Sequence, residues 1–405
     1  MSPHILIAGA GIGGLGAALA LSQIGCKITV LEQSAAFGEV GAGVQISPNA
    51  YKVLCCWGLA DALQQTANFP EKLQVRNTSS NKLLGQLTLG ESAQTRYGYP
   101  FATFHRADLH TLLLNAVRQL PNVELHLNAK IVDIVDSRLR DNDGSGNQVG
   151  VVTESGKNFT ADALIGSDGL WSRVCQHVLG DSAPRATGHT AWRALITLAD
   201  APPELQQDQI TAWLAPDSHT IAYPVQQGKS LNLVYCSEND SVFEGNKSLQ
   251  PAYLLPKQLS NSLQKTFQIA TETNAWTRWD LFDRPPMRSS AEMHNPAHPH
   301  IALQGDAAHP MLPYLAQGAG MALEDAQALA VSIKQNPSNL SAALQTYAQT
   351  RWQRNAQVQT KAARNGQIFH AKPPVSWARD AAMGVLGEKI MDVPWLYGYD
   401  AAVSL

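Results

Sequence analysis

Three glycines that directly follow a short apolar segment constrain the fold of this chain more than any other feature. The segment His4–Ala8 has the composition of a buried strand, and Gly9, Gly11 and Gly14 follow it in the spacing G-x-G-x-x-G. Glycine at these positions allows a tight turn and a close approach of the backbone to an anion. The pattern therefore predicts the first turn of a Rossmann-type βαβ unit.

The residues after the glycines continue this unit. We expect a helix over 13–25 and a second strand over 27–31, which is followed by Glu32. The helix N-terminus can receive a pyrophosphate, and a carboxylate at the end of the second strand can bind a ribose diol. The sequence thus predicts a dinucleotide site, although this motif does not decide which dinucleotide binds.

The pattern of hydrophobic residues divides the whole chain into three kinds of region. Between about 182 and 284 it favours alternating strands, with clear examples at 211–214, 220–223 and 231–235. After residue 301 a strand, a glycine loop and a long helix return. We therefore expect an α/β fold in which a Rossmann-like domain (1–180 and 285–340) contains an inserted β-sheet substrate domain (181–284) and precedes a helical C-terminal region (341–405).

Several individual elements follow from the same periodicity. The predicted helices are 50–63, 107–120 and 320–335, and the predicted strands are 123–136 and 149–164; a polar turn is expected over 141–147.

Composition excludes several classes of partner. Lys and Arg total 30 against 33 Asp and Glu, so neither nucleic acid nor an anionic membrane surface is favoured. The five cysteines are odd in number and contain no C-x-x-C pair, which indicates reduced residues in a cytoplasmic protein. No uninterrupted apolar stretch is long enough to span a bilayer. His294, His298, His300 and His309 lack the spacing of metal ligands, so we expect no metal site.

Three later segments carry a family resemblance. The segments 105–109, 161–173 and 303–310, which read HRADL, ADALIGSDGLWSR and LQGDAAHP, together resemble the signature set of the flavoprotein aromatic hydroxylases. The likeness extends from Ile5 to Asp400, and the nearest members are 3-hydroxybenzoate 6-hydroxylase and 6-hydroxynicotinate 3-monooxygenase. This resemblance implies that the dinucleotide is FAD.

The resemblance also implies roles for individual residues. Asp306 can accept hydrogen bonds from the ribityl hydroxyls, and Arg106 offers a forked cation to the pyrophosphate. The segment 317–321 leads into a helix whose N-terminus can stabilise negative charge on the flavin ring. Asp168 and Gly169 are expected to contact the cofactor or to hold the loop that carries Arg173. Further cofactor-binding residues implied by the resemblance are Gln33, Gln45, Ile131, Ala319, Gly320 and Met321.

A second group of candidates lies in the β-rich region. Period-two geometry places His219 and Tyr223 on one face of a strand, and their spacing is similar to that of the catalytic His and Tyr of the nearest relatives. Such a pair can accept or relay the proton of a phenol. Tyr314 is expected to line the substrate pocket. Arg193, next to Trp192, either binds a substrate carboxylate or braces the sheet.

These observations predict an enzyme that hydroxylates a small phenolic or hydroxypyridine carboxylic acid with O₂, through a flavin C4a-hydroperoxide. Because there is no second G-x-G-x-x-G, NADH, in preference to NADPH, is expected to bind only transiently. Two alternatives remain: an FAD-dependent dehydrogenase or oxidase that does not hydroxylate, and a flavin-carrying protein that binds an effector without turnover. The protein is expected to be a monomer or homodimer, and the ring position that is hydroxylated and any loss of CO₂ stay open.

Overall fold

The computed structural model describes residues 2–38, 42–136, 148–180, 183–238 and 258–402. Within these ranges the strands are β1 His4–Ala8, β2 Lys27–Leu31, β3 Gly43–Ile46, β4 Lys72–Asn77, β5 Leu83–Thr88, β6 Ala102–His105, β7 Val123–His126, β8 Ile131–Asp136, β9 Val149–Thr153, β10 Asn158–Ala161, β11 Ala163–Gly166, β12 Arg185–Thr197, β13 Gln209–Ala215, β14 Ser218–Val225, β15 Ser230–Glu238, β16 Thr277–Asp283 and β17 Ile301–Leu303. The helices are α1 Ile12–Gln23, α2 Pro48–Cys56, α3 Ala60–Thr66, α4 Gly90–Tyr97, α5 Arg106–Arg118, α6 Arg173–Leu179, α7 Asn261–Glu272, α8 Gly318–Gln335, α9 Leu340–Phe369, α10 Val375–Leu386, α11 Glu388–Met391 and α12 Pro394–Tyr397.

A parallel five-stranded sheet forms the predicted Rossmann-like part of the molecule. Its order is β17-β11-β1-β2-β7, so that strands from distant parts of the chain lie side by side. Burial explains why these strands are almost continuously apolar, since helices such as α1 and α6 pack against the sheet. The return of β17 to this sheet confirms that the fold is α/β with a discontinuous dinucleotide-binding part.

A seven-stranded sheet forms the second layer, in the order β16-β12-β15-β14-β13-β4-β5. The strands β12 to β16 come from the region where alternating strands were predicted. However, β4 and β5 come from the first part of the chain, and β4 pairs in parallel with β13, Lys72 lying opposite Gln209. This sheet therefore draws on residues outside 181–284, while the division of the chain into domains stays a prediction.

Two predicted elements are wrong in their extent. The expected helix over 50–63 is two helices, α2 and α3, because the backbone of Gly58 takes a positive φ of 83° between them. The expected strand over 123–136 is divided between two sheets, β7 in the parallel sheet and β8 in a small antiparallel one, with Asn128 at a φ of 52° between them.

A similar division affects the expected strand over 149–164, which consists of three short strands, β9, β10 and β11. Gly156, with a φ of 79°, allows the turn between the first two. The expected helices over 13–25, 107–120 and 320–335 correspond to α1, α5 and α8. The expected turn over 141–147 lies outside the described residues, as do residues 39–41 of the glycine-rich loop.

The helical C-terminal region is confirmed. The 30-residue helix α9 packs against α8, and the shorter helices α10 and α11 contact β5. In the described part of the chain we find no helix with both the length and the apolar character that crossing a bilayer requires.

Candidate active site

A cavity lies where the glycine turn after β1, the face of β14 and the start of α8 meet. It contains about 1300 Å³ of space, part of it open to solvent. The predicted site residues on its wall are Gly11, Gln45, Arg106, His219, Tyr223, Asp306, Tyr314 and Ala319. Residues separated by more than 300 positions in the sequence thus meet around one space, and we define this space as the main cavity.

The remaining predicted site residues lie off this wall. Glu32 lines a second cavity that shares Gly11 with the main one. The walls of the two cavities do not include Gly9, Gly14, Gln33, Ile131, Gly320 and Met321. For these residues a role in cofactor binding stays a prediction.

Glu32 is held in place by backbone donors. Its carboxylate accepts hydrogen bonds from the amides of Ala10 and Ser34, both at 2.8 Å. His110, which no motif in the sequence indicated, also lines this second cavity, and its Nε2 lies 2.8 Å from the carbonyl oxygen of Ala10. The carboxylate is thereby fixed at the end of β2, where a ribose diol would reach it.

The turn that contains Gly9, Gly11 and Gly14 leaves no room for a side chain at Gly9 or Gly14, so its backbone is accessible to a dinucleotide. A Cβ on Gly14 would lie 2.0 Å from the carbonyl oxygen of Gly9, and one on Gly9 would lie 2.5 Å from that of Ser167. Gly9 also has a φ of 94°, which glycine adopts readily. The backbone can therefore approach a pyrophosphate between the two cavities, with the N-terminus of α1 directed at it.

Buried charges fix the segment that carries Asp306. Asp325 accepts a hydrogen bond from the Gly305 amide at 3.1 Å and from Arg351 Nε at 2.8 Å. Glu324, its neighbour on α8, pairs with Arg354 at 2.7 Å. We call Glu324, Asp325, Arg351 and Arg354 the ionic cluster. It joins α8 and α9 to the backbone at Gly305, next to the exposed Asp306.

Asp168 holds a loop. Its carboxylate accepts hydrogen bonds from the Ser172 hydroxyl at 2.5 Å and from the Arg173 amide at 2.7 Å, at the start of α6. Burial raises the pKa of this carboxyl, while these hydrogen bonds oppose the shift. Gly169, at a φ of 77°, lines the main cavity. The arrangement favours the loop-holding role over direct contact between the Asp168 carboxylate and the cofactor.

The strand β14 presents a row of side chains to the main cavity. His219, Ile221 and Tyr223 all lie on its wall, as the period of two predicts. Tyr223 is only 4% exposed, and a Cβ on Gly43 would lie 2.7 Å from its hydroxyl oxygen. Burial raises the pKa of Tyr223 well above its ordinary value, against the influence of Arg193. The hydroxyl is therefore a neutral hydrogen-bonding group at physiological pH.

Arg193 brings a positive charge to the same cavity. It lies on β12, and burial lowers the pKa of its guanidinium, which Tyr223 partly offsets. Its Nε is buried without a hydrogen-bond partner among the described residues. The ring of Trp279 lies 5.5 Å from the guanidinium carbon. A buried guanidinium with an unused donor is a suitable binding group for an anion.

Next to His219 lies a group of residues that the sequence did not point to. His219 Nδ1 is 2.7 Å from His370 Nε2, and His370 Nδ1 is 2.7 Å from a Glu238 carboxylate oxygen. His189 Nδ1 lies 2.7 Å from the hydroxyl of Tyr314. We call His189, His219, Glu238 and His370 the histidine cluster. Its members come from β12, β14, β15 and the residue after α9, so no local spacing could reveal it.

Burial keeps these imidazoles neutral. Burial lowers the pKa of His219 well below 6.5, and the neighbouring His370 lowers it further. Burial also lowers the pKa of His189, although the nearby Glu238 carboxylate acts in the opposite direction. It also lowers the pKa of His370, where the hydrogen bond to Glu238 opposes the shift.

The histidines that were weighed as metal ligands do not come together. His294 Nδ1 is 3.0 Å from the carbonyl oxygen of Ile301, whereas His309 Nε2 is 2.5 Å from Asp325. Among the described residues, the group whose positions would permit a metal ion is instead His189, Glu238 and His370, with one ligand-type atom of each within 4.8 Å of the others. Hydrogen bonds already engage both ring nitrogens of His370.

Comparison with known proteins agrees with this geometry. The model of a family described as FAD binding domain matches residues 3–362. The chain is 36% identical to 3-hydroxybenzoate 6-hydroxylase 1 of Aquipseudomonas alcaligenes, over 98% of each chain. It is 31% identical to 6-hydroxynicotinate 3-monooxygenase of Pseudomonas fluorescens, over 98% of this chain and 95% of the relative.

A solved structure gives the same fold. The crystal structure of Klebsiella pneumoniae HpxO complexed with FAD and uric acid superposes with a TM-score of 0.80 at 24% identity, over 96% of this chain and 94% of that one. The similarity therefore extends over both sheets and the helical region, and the glycine turn with Glu32 fits FAD.

Proposed function

We propose that this chain, which belongs to the FAD binding domain family and is an FAD-dependent aromatic monooxygenase, acts on a small aromatic carboxylic acid with a ring hydroxyl. The observation that supports this substrate class is the Arg193 guanidinium, whose buried Nε has no hydrogen-bond partner among the described residues and which lies on the wall that also carries His219 and Tyr223. On this wall β12 offers a cation, and β14, two strands away in the same sheet, offers groups that could bind and deprotonate a hydroxyl.

FAD supplies electron transfer from a reduced nicotinamide and the activation of O₂. The residues of this chain hold the reactants. In our proposal, Gly11, Glu32, Arg106 and Asp306 bind the cofactor, and Ala319 at the start of α8 lies against its ring. NADH, in preference to NADPH, is the proposed reductant and binds only transiently.

Arg193 would orient the substrate through its carboxylate. A planar guanidinium can form two parallel hydrogen bonds to a carboxylate, which fixes the direction of the ring as well as its position. Satisfying the buried Nε would also remove the cost of an unpaired donor. The carboxylate is thus the group by which the protein would distinguish its substrate from a simple phenol.

His219 and Tyr223 would act on the ring hydroxyl. The neutral imidazole can accept a proton, and the un-ionised Tyr223 hydroxyl can hydrogen-bond the phenolate that remains. Loss of this proton makes the ring electron-rich, which hydroxylation requires. Both side chains are nearly fully buried, which limits their own contact with bulk water.

The test is a substrate panel assayed with the FAD-loaded protein. The panel contains 3-hydroxybenzoate, 6-hydroxynicotinate and 3-amino-4-hydroxybenzoate, and each is assayed for stimulation of NADH and NADPH oxidation and for oxygen incorporated from labelled O₂. We expect at least one acid to stimulate NADH oxidation and to gain one labelled oxygen. Stimulated oxidation that yields only hydrogen peroxide would identify an effector, and a product oxidised without oxygen gain would favour the dehydrogenase or oxidase alternative.

The role of Arg193 has its own control. In Arg193→Met we expect KM for the active acid to rise by roughly ten- to a hundredfold, because a charged hydrogen bond is lost. The corresponding carboxamide should be affected much less. Arg288→Met, which changes an exposed arginine, is the matched control. An equal change in KM for the acid and the carboxamide would contradict this role.

A further inference from the structure

The histidine cluster connects the main cavity to the surface. His219 is 2% exposed and His370 is 3% exposed, whereas the Glu238 side chain is 30% exposed. Two hydrogen bonds of 2.7 Å each join the three side chains in this order. The path therefore begins at a side chain on the cavity wall and ends at a carboxylate that solvent reaches.

The direction of each hydrogen bond follows from the chemistry of the end group. A carboxylate only accepts, so His370 donates from Nδ1. A neutral imidazole carries a single ring hydrogen, so His370 Nε2 accepts and His219 donates from Nδ1. His219 Nε2, the nitrogen not engaged by His370, is then left without a hydrogen and can serve as a base. Glu238 thereby sets the tautomer of the residue on the cavity wall, two side chains away.

We propose that His219, His370 and Glu238 form a proton relay, which takes the ring-hydroxyl proton of the bound substrate to the surface and returns a proton to the product. This proposal rests on the substrate class proposed above. The positioning residues are His370 and Glu238, since they act through His219.

The relay balances in both directions. The substrate O–H bond breaks as a hydrogen joins His219 Nε2, the Nδ1 hydrogen of His219 passes to His370 Nε2, and the Nδ1 hydrogen of His370 passes to Glu238. The carboxyl then releases its proton to water. When the product takes up a proton, the three transfers run in reverse and the original tautomers return. No electrons leave or enter these residues.

Other titratable groups surround the relay. His189 from β12 stacks on the His370 ring with centroids 5.6 Å apart, and Tyr314 lies 5.4 Å from it. Asp217, at the turn before β14, pairs with Lys372 at 2.9 Å. These groups form a side branch: His189 Nε2 is 4.0 Å from Glu238, too far for a hydrogen bond. The cavity-to-surface connection therefore passes through His370.

Two variants of the FAD-loaded protein test the relay. Glu238→Gln replaces the carboxylate with an amide that can also donate to His370, and Glu272→Gln, an exposed residue of α7, is the control for charge. With 3-hydroxybenzoate as the probe, the ultraviolet spectrum of the bound phenol gives the pH at which it ionises on the protein. We expect Glu238→Gln to shift this ionisation to higher pH and to lower turnover by roughly tenfold or more, and Glu272→Gln to change neither.

Chemical rescue separates the relay from a general structural effect. Glu238→Ala leaves a space at a partly exposed position, where formate can replace the carboxylate. We expect formate to restore part of the turnover of Glu238→Ala and to have no such effect on His370→Gln. If Glu238→Gln and Glu272→Gln behave alike in both the ionisation and the turnover assays, the proposal is overturned.

One readout does not need a substrate. Nitrogen-15 NMR of the histidine rings reports which nitrogen carries the hydrogen, and we expect Nδ1–H on both His219 and His370 in the unliganded holoenzyme. A hydrogen on His219 Nε2, or a stoichiometric metal ion held by His189, Glu238 and His370, would overturn the relay. Failure of every acid in the panel to bind would instead count against the proposed substrate class, while the ring tautomers would still decide the relay.

Discussion

The helix α9 and the residue that follows it contribute to two buried polar clusters, and the two are built differently. The ionic cluster contains two carboxylates and two guanidinium groups, all buried and joined by ion pairs of 2.7–2.8 Å. The histidine cluster contains three imidazoles and only one carboxylate, which is partly exposed. One cluster balances its charges, whereas the imidazoles of the other remain neutral because burial disfavours their protonation.

This difference corresponds to what each cluster can do. Opposite charges at short distance keep their protonation states fixed, so the ionic cluster holds α8, α9 and Gly305 in one arrangement. Neutral imidazoles in a hydrogen-bonded row can each lose one hydrogen and gain another without creating a buried charge. Buried ion pairs with balanced charges therefore favour a rigid structure, whereas buried neutral imidazoles remain able to transfer protons.

The largest expected effect concerns the ionic cluster. Arg351→Met leaves two buried carboxylates with fewer partners, so we expect the free energy of unfolding to fall by about 3–5 kcal/mol. Arg364→Met, at an exposed position of the same helix, is the matched control and should change stability by less than about 0.5 kcal/mol. Chemical denaturation of both variants measures the difference, and similar stabilities would show that the ion pairs do not hold the two helices.

The second effect is a loss of activity with little change in stability. Tyr223→Phe removes a hydroxyl from the main cavity, and we expect turnover to fall by roughly a hundredfold, equivalent to about 2.7 kcal/mol, with little change in the unfolding midpoint. Tyr347→Phe provides the opposite case, because that buried hydroxyl donates to the carbonyl oxygen of Leu303 at 3.0 Å, away from the cavity wall. It should lose about 1 kcal/mol of stability and retain turnover. If Tyr223→Phe instead lost stability and Tyr347→Phe lost turnover, the roles given to the two tyrosines would be wrong.

The two clusters should also respond to pH in different ranges. In the unfolded chain, histidines take up protons as the pH falls through about 6.5, but burial keeps His219 neutral in the folded protein. The unfolded state then binds more protons, so stability falls as the pH drops below 6.5. Burial alone would raise the pKa of Asp325, but His309 and Arg351 hold it well below 3.8. The stability that the ionised Asp325 carboxylate contributes is therefore present above pH 3.8 and is lost only in strong acid.

His219→Asn tests this assignment. Between pH 6.5 and pH 5 we expect the free energy of unfolding of the variant to depend on pH less steeply, by up to about 1.4 kcal/mol per pH unit. His126→Asn, whose side chain is 37% exposed, is the matched control. Denaturation curves at several pH values measure the slope. An unchanged slope in His219→Asn would mean that this imidazole is not kept neutral by burial.

Much of the proposed cofactor-binding framework could be predicted from local sequence. The glycine spacing and Glu32 depend on residues within one βαβ unit, and the shared face of His219 and Tyr223 depends on a single strand. Each of these patterns is a consequence of backbone geometry over a few residues. The structure places His219 and Tyr223 on one wall of the main cavity, as the period of their strand predicts. That Gly11 lies on the same wall depends on how the two sheets pack together, which local geometry does not express.

The histidine cluster could not be predicted in this way. Glu238 ends β15 and His370 follows α9, so 132 residues separate two side chains that are hydrogen-bonded. Their contact depends on how α9 packs against the seven-stranded sheet, which no spacing in the sequence expresses. The same limit explains why the β4–β5 hairpin was not expected in that sheet, since its parallel pairing with β13 is equally distant.

The smallest expected effect separates the side branch of the histidine cluster from its relay. Tyr314→Phe removes the partner of His189 Nδ1, and a Cβ on Gly366 would lie 2.6 Å from the Tyr314 ring, so the ring itself is held by α9. We expect a loss of about 0.5–1.5 kcal/mol in stability, the value of one hydrogen bond, because the phenylalanine ring keeps the packing. Nitrogen-15 NMR should find the hydrogen of His219 still on Nδ1, because His370 and Glu238 are untouched. A change of tautomer at His219 in this variant would show instead that the branch and the relay are one network, in which His189 helps to set the base on the cavity wall.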